Sequence, residues 1–452
     1  MVISPKEHIE DRIYRIQEEI YELLAKEYVT IEPKNFLNSL SYYNNKMKER
    51  LMNVEEDNIK SIRRIGRLLQ IIHINLDEVD HIKTTNVPLE LIHYLNRILI
   101  NNNAKYSVLY RPGTEFNYSY WNYTNFMRSV GSGLGLEPDQ NLSVISYPLC
   151  ESKNVLLNCI LFHEIAHQLN EELNIRSDIE KNIQIRSEDL DKYVDEWISR
   201  FSEIRQIVGE REITLDRFFS ENEVIKSYLV EELYEILYSW IDEIISDLIA
   251  FYYAGPAFLL ALAEAAYVNR SEIRFSETHP PLFLRLKAIF RLYSKLEYSR
   301  KLKKYRTITK LIAYYKNISR SSYEKIGNIP DKERNIILER TVIKVIPILI
   351  SAIENKIKLS KTTFIKSHIE SAVNSYMNLI PPVELINYDL KSKRIHDPFT
   401  ILNSAWIVKE NYKTKTHSMF GGNKQKARIS INQLTCKALE SNDFLYRMEE
   451  KD

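Results

Sequence analysis

The sequence predicts a predominantly α-helical protein of the α+β class, with one small β component, and three observations carry that reading. Glycine is scarce, 10 in 452 residues. Few positions then offer the backbone freedom that tight turns use, and helices with short connections are favoured. Apolar residues recur at helical spacing over the first hundred residues and again beyond residue 300. Only two short segments, 106–110 and 141–148, are rich in strand-forming residues and bounded by turn residues. The overall balance, 44% hydrophobic and 27% charged, is that of a globular protein with room for two or three domains, not of a disordered or fibrous chain. Composition and charge divide it into a helical region 1–103, a mixed domain 104–299 and a basic helical domain 300–452.

In the first region Ile9, Ile13, Ile16, Ile20 and Leu23 fall on one helical face, and so do Ile59, Ile62, Ile65, Leu68 and Leu69. Nothing there carries chemistry, so packing is the expected role. The character changes at residue 104. Tyr106 to Tyr110 is β-prone and ends at Arg111-Pro112-Gly113, and aromatic residues then crowd Phe116 to Phe126. Gly131, Gly133 and Gly135 form the most glycine-rich stretch, but the preceding strand and the lysine of a phosphate loop are missing, so a plain loop is expected. Asn141 to Pro148 reads as a second strand, and a free edge there could pair with an extended peptide.

Val155 to Leu169 follows, with no proline, no glycine and Glu164 as its one acid or base besides histidine: a buried helix. It contains His163-Glu164-Ile165-Ala166-His167. Two imidazoles four apart leave one helical face about one turn apart and can close on a single metal ion, while Glu164 lies beside it, placed to take a proton from water. Zn²⁺ is the expected ion, because it accepts nitrogen ligands and a catalytic zinc keeps one position for water. Two histidines leave the site incomplete. A third histidine in an HExxHxxGxxH pattern is excluded, since Asn170 and Leu173 occupy the glycine and histidine positions. Glu171, Glu172, Asp178 and His279 are fallback ligands. Glu243 is the better candidate, with Asp247 one helical turn further on and within reach of a ligand histidine's second nitrogen. Asp242 is its rival. A third element, Thr278-His279-Pro280-Pro281, holds His279 rigidly ahead of a helix that carries Arg285.

The order HEIAH, EIISD, THPPLFLRL resembles that of the gluzincin metallopeptidases, in particular the group containing HtpX, the CAAX prenyl endopeptidases and their soluble relatives. The resemblance spans residues 143–289 in three short motifs. It implies a zincin-like catalytic core and a zinc-dependent endopeptidase acting on a protein or peptide substrate. It also implies His163, His167 and Glu243 as zinc ligands, Glu164 as general base, Asp247 as a ligand-orienting partner, His279 as an oxyanion stabiliser and Arg285 as an organiser of the acidic groups. The membrane-embedded members of that group have spanning helices. Here the longest apolar run, Ile244 to Val268, contains Asp247, Gly255, Pro256 and Glu264, and is expected to be protein core.

Met1 to Pro5 shows no secretory pattern, and Cys150, Cys159 and Cys436 show no disulfide or metal spacing, so a cytoplasmic location is expected. Cys159, four residues before His163, is expected to be a small core residue. Residues 300–452 hold 29 Lys and Arg against 15 Asp and Glu, whereas residues 171–250 hold 21 acidic and 9 basic residues. Such asymmetry suggests that the two regions dock or bind separate partners. Three further readings therefore stay open: a latent protease released by a regulatory partner, a protease recruited by a nucleic-acid-binding C-terminal region, and an inactive metal-bearing interaction protein. Lys413 to Lys426, polar and containing Gly421-Gly422, is expected to be a loop.

Overall fold

The computed structural model describes residues 4–28, 31–80, 89–105, 107–125, 142–182, 222–269, 276–296, 298–326, 332–357, 365–383 and 397–449, with isolated positions 128, 192 and 194–196. Among them the protein is mostly helical with one three-stranded sheet, as expected. The glycine-rich segment 131–135 and most of the acidic stretch 183–221 lie outside the described residues. By packing, the chain divides into two compact units, Met1–Gln168 and Leu169–Asp452. The division at residues 103 and 299 is one of composition and charge.

The first unit opens with α1 (Pro5–Leu24), α2 (Glu32–Met52) and α3 (Ile59–Asp80). α1 starts on a capping box, in which the Ser4 hydroxyl accepts from the Glu7 amide and the Glu7 carboxylate accepts from the Ser4 amide, with Pro5 at the first helical position. Its buried residues, Ile9, Ile13, Ile16, Ile20 and Leu23, are those the periodicity selects. They share one core with Phe36, Leu40, Tyr43 and Met47 of α2 and with Ile62, Ile65, Leu69, Ile72 and Leu76 of α3. Asn44, buried in this core, donates to the Ile13 carbonyl at 3.0 Å, so its amide is not left without a partner.

α4 (Leu89–Asn101) leads to β1 (Ser107–Gly113), β2 (Ser119–Trp121) and β3 (Leu142–Pro148). The sheet order is β1-β3-β2. β3 pairs parallel with β1 along its length, Ser107 opposite Leu142 through Gly113 opposite Pro148, and antiparallel with β2, Ser119 opposite Ser146. β3 is therefore the central strand, with Leu142 to Ile145 buried in an unbroken run, as a strand covered on both faces should be. This corrects the expectation that the 141–148 segment offers a free edge: its hydrogen bonds are taken by β1 and, from Val144 to Ser146, by β2. Two 3₁₀ turns, Leu149–Glu151 and Leu157–Ile160, then deliver the chain into α5 (Leu161–Glu172).

The second unit continues with α6 (Ile175–Asn182), the 33-residue α7 (Asn222–Ala254), α8 (Pro256–Asn269), α9 (Leu282–Lys295), α10 (Tyr298–Leu302), α11 (Arg306–Ile318), α12 (Lys332–Lys356), α13 (Lys366–Met377), α14 (Pro398–Asn411), α15 (Lys413–Met419) and α16 (Lys424–Glu449). The run from Ile244 to Val268, expected as core, is core: Ile244 to Leu262 are buried throughout. No described helix is long and apolar enough to cross a membrane. α14 is buried at every residue from Pro398 to Val408, and its sequence there is mainly apolar, with Thr400, Asn403 and Ser404 as the polar exceptions. It packs on α7, α8, α11, α13, α15 and α16. Asn403 of α14 donates to the Ala254 and Phe399 carbonyls and accepts from the Ala257 amide, binding the α7–α8 junction to the centre of the unit. Lys413 to Met419, expected as loop, is helical. Buried Thr416 anchors it, its hydroxyl donating to the Tyr412 and Lys413 carbonyls. The basic region packs on the preceding one within this unit, through Lys409 to Glu264 at 2.7 Å and Lys295 to Glu354.

Candidate metal centre

α5 carries the HExxH residues. His163 and Glu164 are buried and His167 is half-buried. The helix begins at Leu161 after the 3₁₀ turn, so Cys159 lies ahead of it; the thiol is fully buried, as expected of a core residue. The imidazoles stand edge to face, with ring centroids 4.6 Å apart and Nε2 atoms 3.1 Å apart. Two nitrogens bound tetrahedrally at about 2.0–2.1 Å would be separated by roughly 3.3 Å, so both rings offer the same nitrogen at the separation that one ion requires. A neutral pair sharing one proton would also bring the nitrogens this close. A third ligand at the same distance would favour the ion.

The sheet side of α5 fixes these rings. Tyr120 of β2 stacks on His167, 5.8 Å between centroids and 14° between planes, and its hydroxyl is 3.3 Å from Ser143 Oγ. Tyr118, just before β2, donates to Asn158 Oδ1 at 2.9 Å, and buried Asn158 is tied in turn to the Glu151 carbonyl at 3.0 Å. Burial raises the Tyr118 phenol far above its ordinary range, and the negative charges of Glu151, Cys159, Cys150 and Glu164 add to the rise. Tyr118 is thus a neutral hydrogen-bond donor within electrostatic reach of Glu164. Sequence reasoning missed both tyrosines, since the 116–126 segment registers only as an excess of aromatic residues.

α7 brings Glu243 and Asp247 one turn apart, 6% and 0% exposed. Two buried carboxylates need compensation, and Arg285 of α9 supplies one charge. Its Nε donates to Asp247 Oδ2 at 2.7 Å and its Nη2 to Oδ1 at 2.6 Å, a two-pronged pair, while Nη1 lies 3.6 Å from Glu243 Oε2. The guanidinium thus bridges the two carboxylates. His279 stands on the other side of Glu243, its Nε2 3.6 Å from Oε1. The Thr278 hydroxyl is 2.8 Å from the His279 Nδ1. Pro281 is the residue capping α9, which starts at Leu282. The His279 ring is largely exposed.

Asp242 faces another way. Asn170 donates to Oδ1 at 2.9 Å and Arg176 to Oδ2 at 2.5 Å, so its carboxylate is engaged in joining α5 and α6 to α7. Asn170, which stands where the longer histidine motif has glycine, thereby acquires a structural role. Glu171 is exposed, and the side chain of Asp178 lies outside the described residues.

Among the described residues one group of three potential ligands assembles: His163, His167 and Glu243 each offer an atom, and these atoms lie within 4.8 Å of one another. This largely buried His-His-Glu group could hold a metal ion. Glu171, Glu172 and His279 do not join it. Imidazole nitrogens completed by a carboxylate form a donor set that zinc, iron, nickel and copper all accept. No family model, no curated protein and no solved structure matches this chain.

Proposed function

We propose that this protein is a zinc-dependent endopeptidase with a zincin-like catalytic core, built on the gluzincin plan of His163, His167 and Glu243 as ligands. The observation that carries the reading is the His-His-Glu group with Glu164 buried in the same turn of α5 as His163. A bound zinc ion would supply Lewis-acid polarisation and lower the pKa of water. Glu164 removes a proton from the attacking water and returns it to the leaving amine. His279, exposed to solvent beside Glu243, donates a hydrogen bond to the oxygen that gains charge as the peptide carbonyl is attacked. Arg285 holds Asp247 and lies beside Glu243, which keeps the acidic pair charged and oriented.

Elemental analysis of purified wild type and Glu243→Ala, followed by hydrolysis of a quenched peptide library by wild type and Glu164→Gln, tests this. The expected result is one zinc per chain, lost in Glu243→Ala. Glu164→Gln should retain the metal and lose about 10²–10⁴ in turnover. Metal in neither protein would leave the His pair as a proton-sharing core contact and sink the enzyme assignment. Wild-type turnover in Glu164→Gln would remove Glu164 as the base.

A further inference from the structure

We infer that the α15–α16 hairpin is a docking surface for duplex DNA, a second function independent of the metal centre. Between Glu410 and Glu440 the chain has no acidic residue, yet it carries Lys413, Lys415, Lys424, Lys426, Arg428 and Lys437. All six are exposed, and among the described residues none forms an ion pair. Lys287, Lys295 and Lys409 of the same unit, by contrast, pair with Glu339, Glu354 and Glu264. Six uncompensated charges crowded on one hairpin repel each other, and a polyanion relieves that repulsion.

The backbone gives the charges a shape. α15 and α16 are joined by Phe420-Gly421-Gly422-Asn423, a four-residue turn with both glycines at positive φ, +61° and +83°. A short helix, a glycine turn and a longer helix is the arrangement with which many proteins enter a DNA groove. Nothing lies within 4 Å of where a side chain would start at either glycine, so the turn can approach a sugar-phosphate backbone closely. Asn423 caps α16, its Oδ1 accepting from the Lys426 amide at 2.9 Å, and fixes the first turn that carries Lys424, Lys426 and Arg428.

A bilayer is the other polyanionic surface, and the packing of α16 argues against it. A helix lying on a membrane needs a broad exposed apolar face. The apolar residues Ala427, Ile431, Ala438 and Leu439 are buried, together with Thr435, which bonds the Tyr376 hydroxyl at 2.9 Å. Ile429 and Phe444 are exposed, but they stand near opposite ends of the helix and form no continuous face. The exposed side instead offers Thr414, Ser418, Gln425 and Gln433, groups that hydrogen-bond phosphates and base edges.

Fluorescence anisotropy of the full-length protein with a labelled random-sequence DNA duplex tests the inference. Binding should weaken by roughly a thousandfold between about 50 and 200 mM salt if all six cations contact phosphate. The triple variant Lys424→Glu, Lys426→Glu, Arg428→Glu, with unchanged circular dichroism, should bind about tenfold or more weakly and show a shallower salt dependence. Reversal of Arg63 and Arg64, exposed on α3, should change nothing, and Glu164→Gln should bind as wild type does. No wild-type binding at low salt overturns the inference. So does undiminished binding by the triple variant, or capture by phosphatidylserine vesicles without capture by DNA.

Discussion

Arg285 shows how a single side chain can decide whether a buried site is tenable. Asp247 is fully buried, and both its oxygens receive a guanidinium hydrogen. Removing the cation strands a charge in the interior, which costs about 3–5 kcal/mol. Arg285→Leu should therefore lose that much stability in urea unfolding. Arg285→Lys keeps the charge but loses the fork that meets both oxygens, and should recover only part of it. Equal stability for Lys and wild type would mean that charge alone matters here. The spacing of HExxH and of Glu243 and Asp247 was legible in the sequence, because helical geometry turns four residues into one face. The pairing of Asp247 with Arg285 was not read: the resemblance gave Asp247 as the partner of a ligand histidine and Arg285 only as an organiser of the acidic groups, and no local rule ties residue 247 to residue 285. Tyr118 and Tyr120 had no signal beyond crowding. Their places follow from a three-residue strand whose register is set against residues 144–146.

Among the elements, legibility tracks how local the deciding interactions are. α1 to α3 were readable because each buries one periodic stripe. β3 was readable as a strand but not as the central one, for strand order depends on pairing between distant segments. The α15 helix was hidden because its composition is that of a loop, while its packing on α14 and α16 is a matter of tertiary structure. The α7–α8 junction is the element-scale feature with the sharpest consequence. Gly255 ends α7 at φ +60°, its amide donating to the Phe251 carbonyl at 2.8 Å. An added Cβ would stand 2.6 Å from the Phe399 ring. Gly255→Ala combines left-handed strain of about 1–2 kcal/mol with overpacking of about 1–3 kcal/mol. It should destabilise the second unit by roughly 2–5 kcal/mol in chemical denaturation. Pairing it with Phe399→Leu should restore part of the loss, because the clash is with that ring. A Gly255→Ala protein as stable as wild type would show that α14 can shift to make room.

For the whole molecule, two electrostatic levers differ in size, and heat can separate them. The ion pairs that join residues 300–452 to the preceding part of the second unit, Lys409 with Glu264 and Lys295 with Glu354, are partly solvated. Pairs of this kind contribute about 0–1 kcal/mol each and are screened by salt. The unit is held mainly by apolar helices such as α8 and α14, so molar NaCl should move its melting temperature very little. A metal ion bound to the native state acts differently. At a free concentration about a thousandfold above its dissociation constant it adds about 4 kcal/mol, and each kcal/mol is worth roughly 2–4 °C in a domain of about 150–250 residues. Chelation with EDTA should therefore lower the melting temperature of zinc-loaded wild type by several degrees. Glu243→Ala should melt at one temperature with and without EDTA. A wild type indifferent to EDTA but sensitive to salt would reverse the ranking: surface charge would then be holding the fold, and the His-His-Glu group would bind no ion tightly enough to matter.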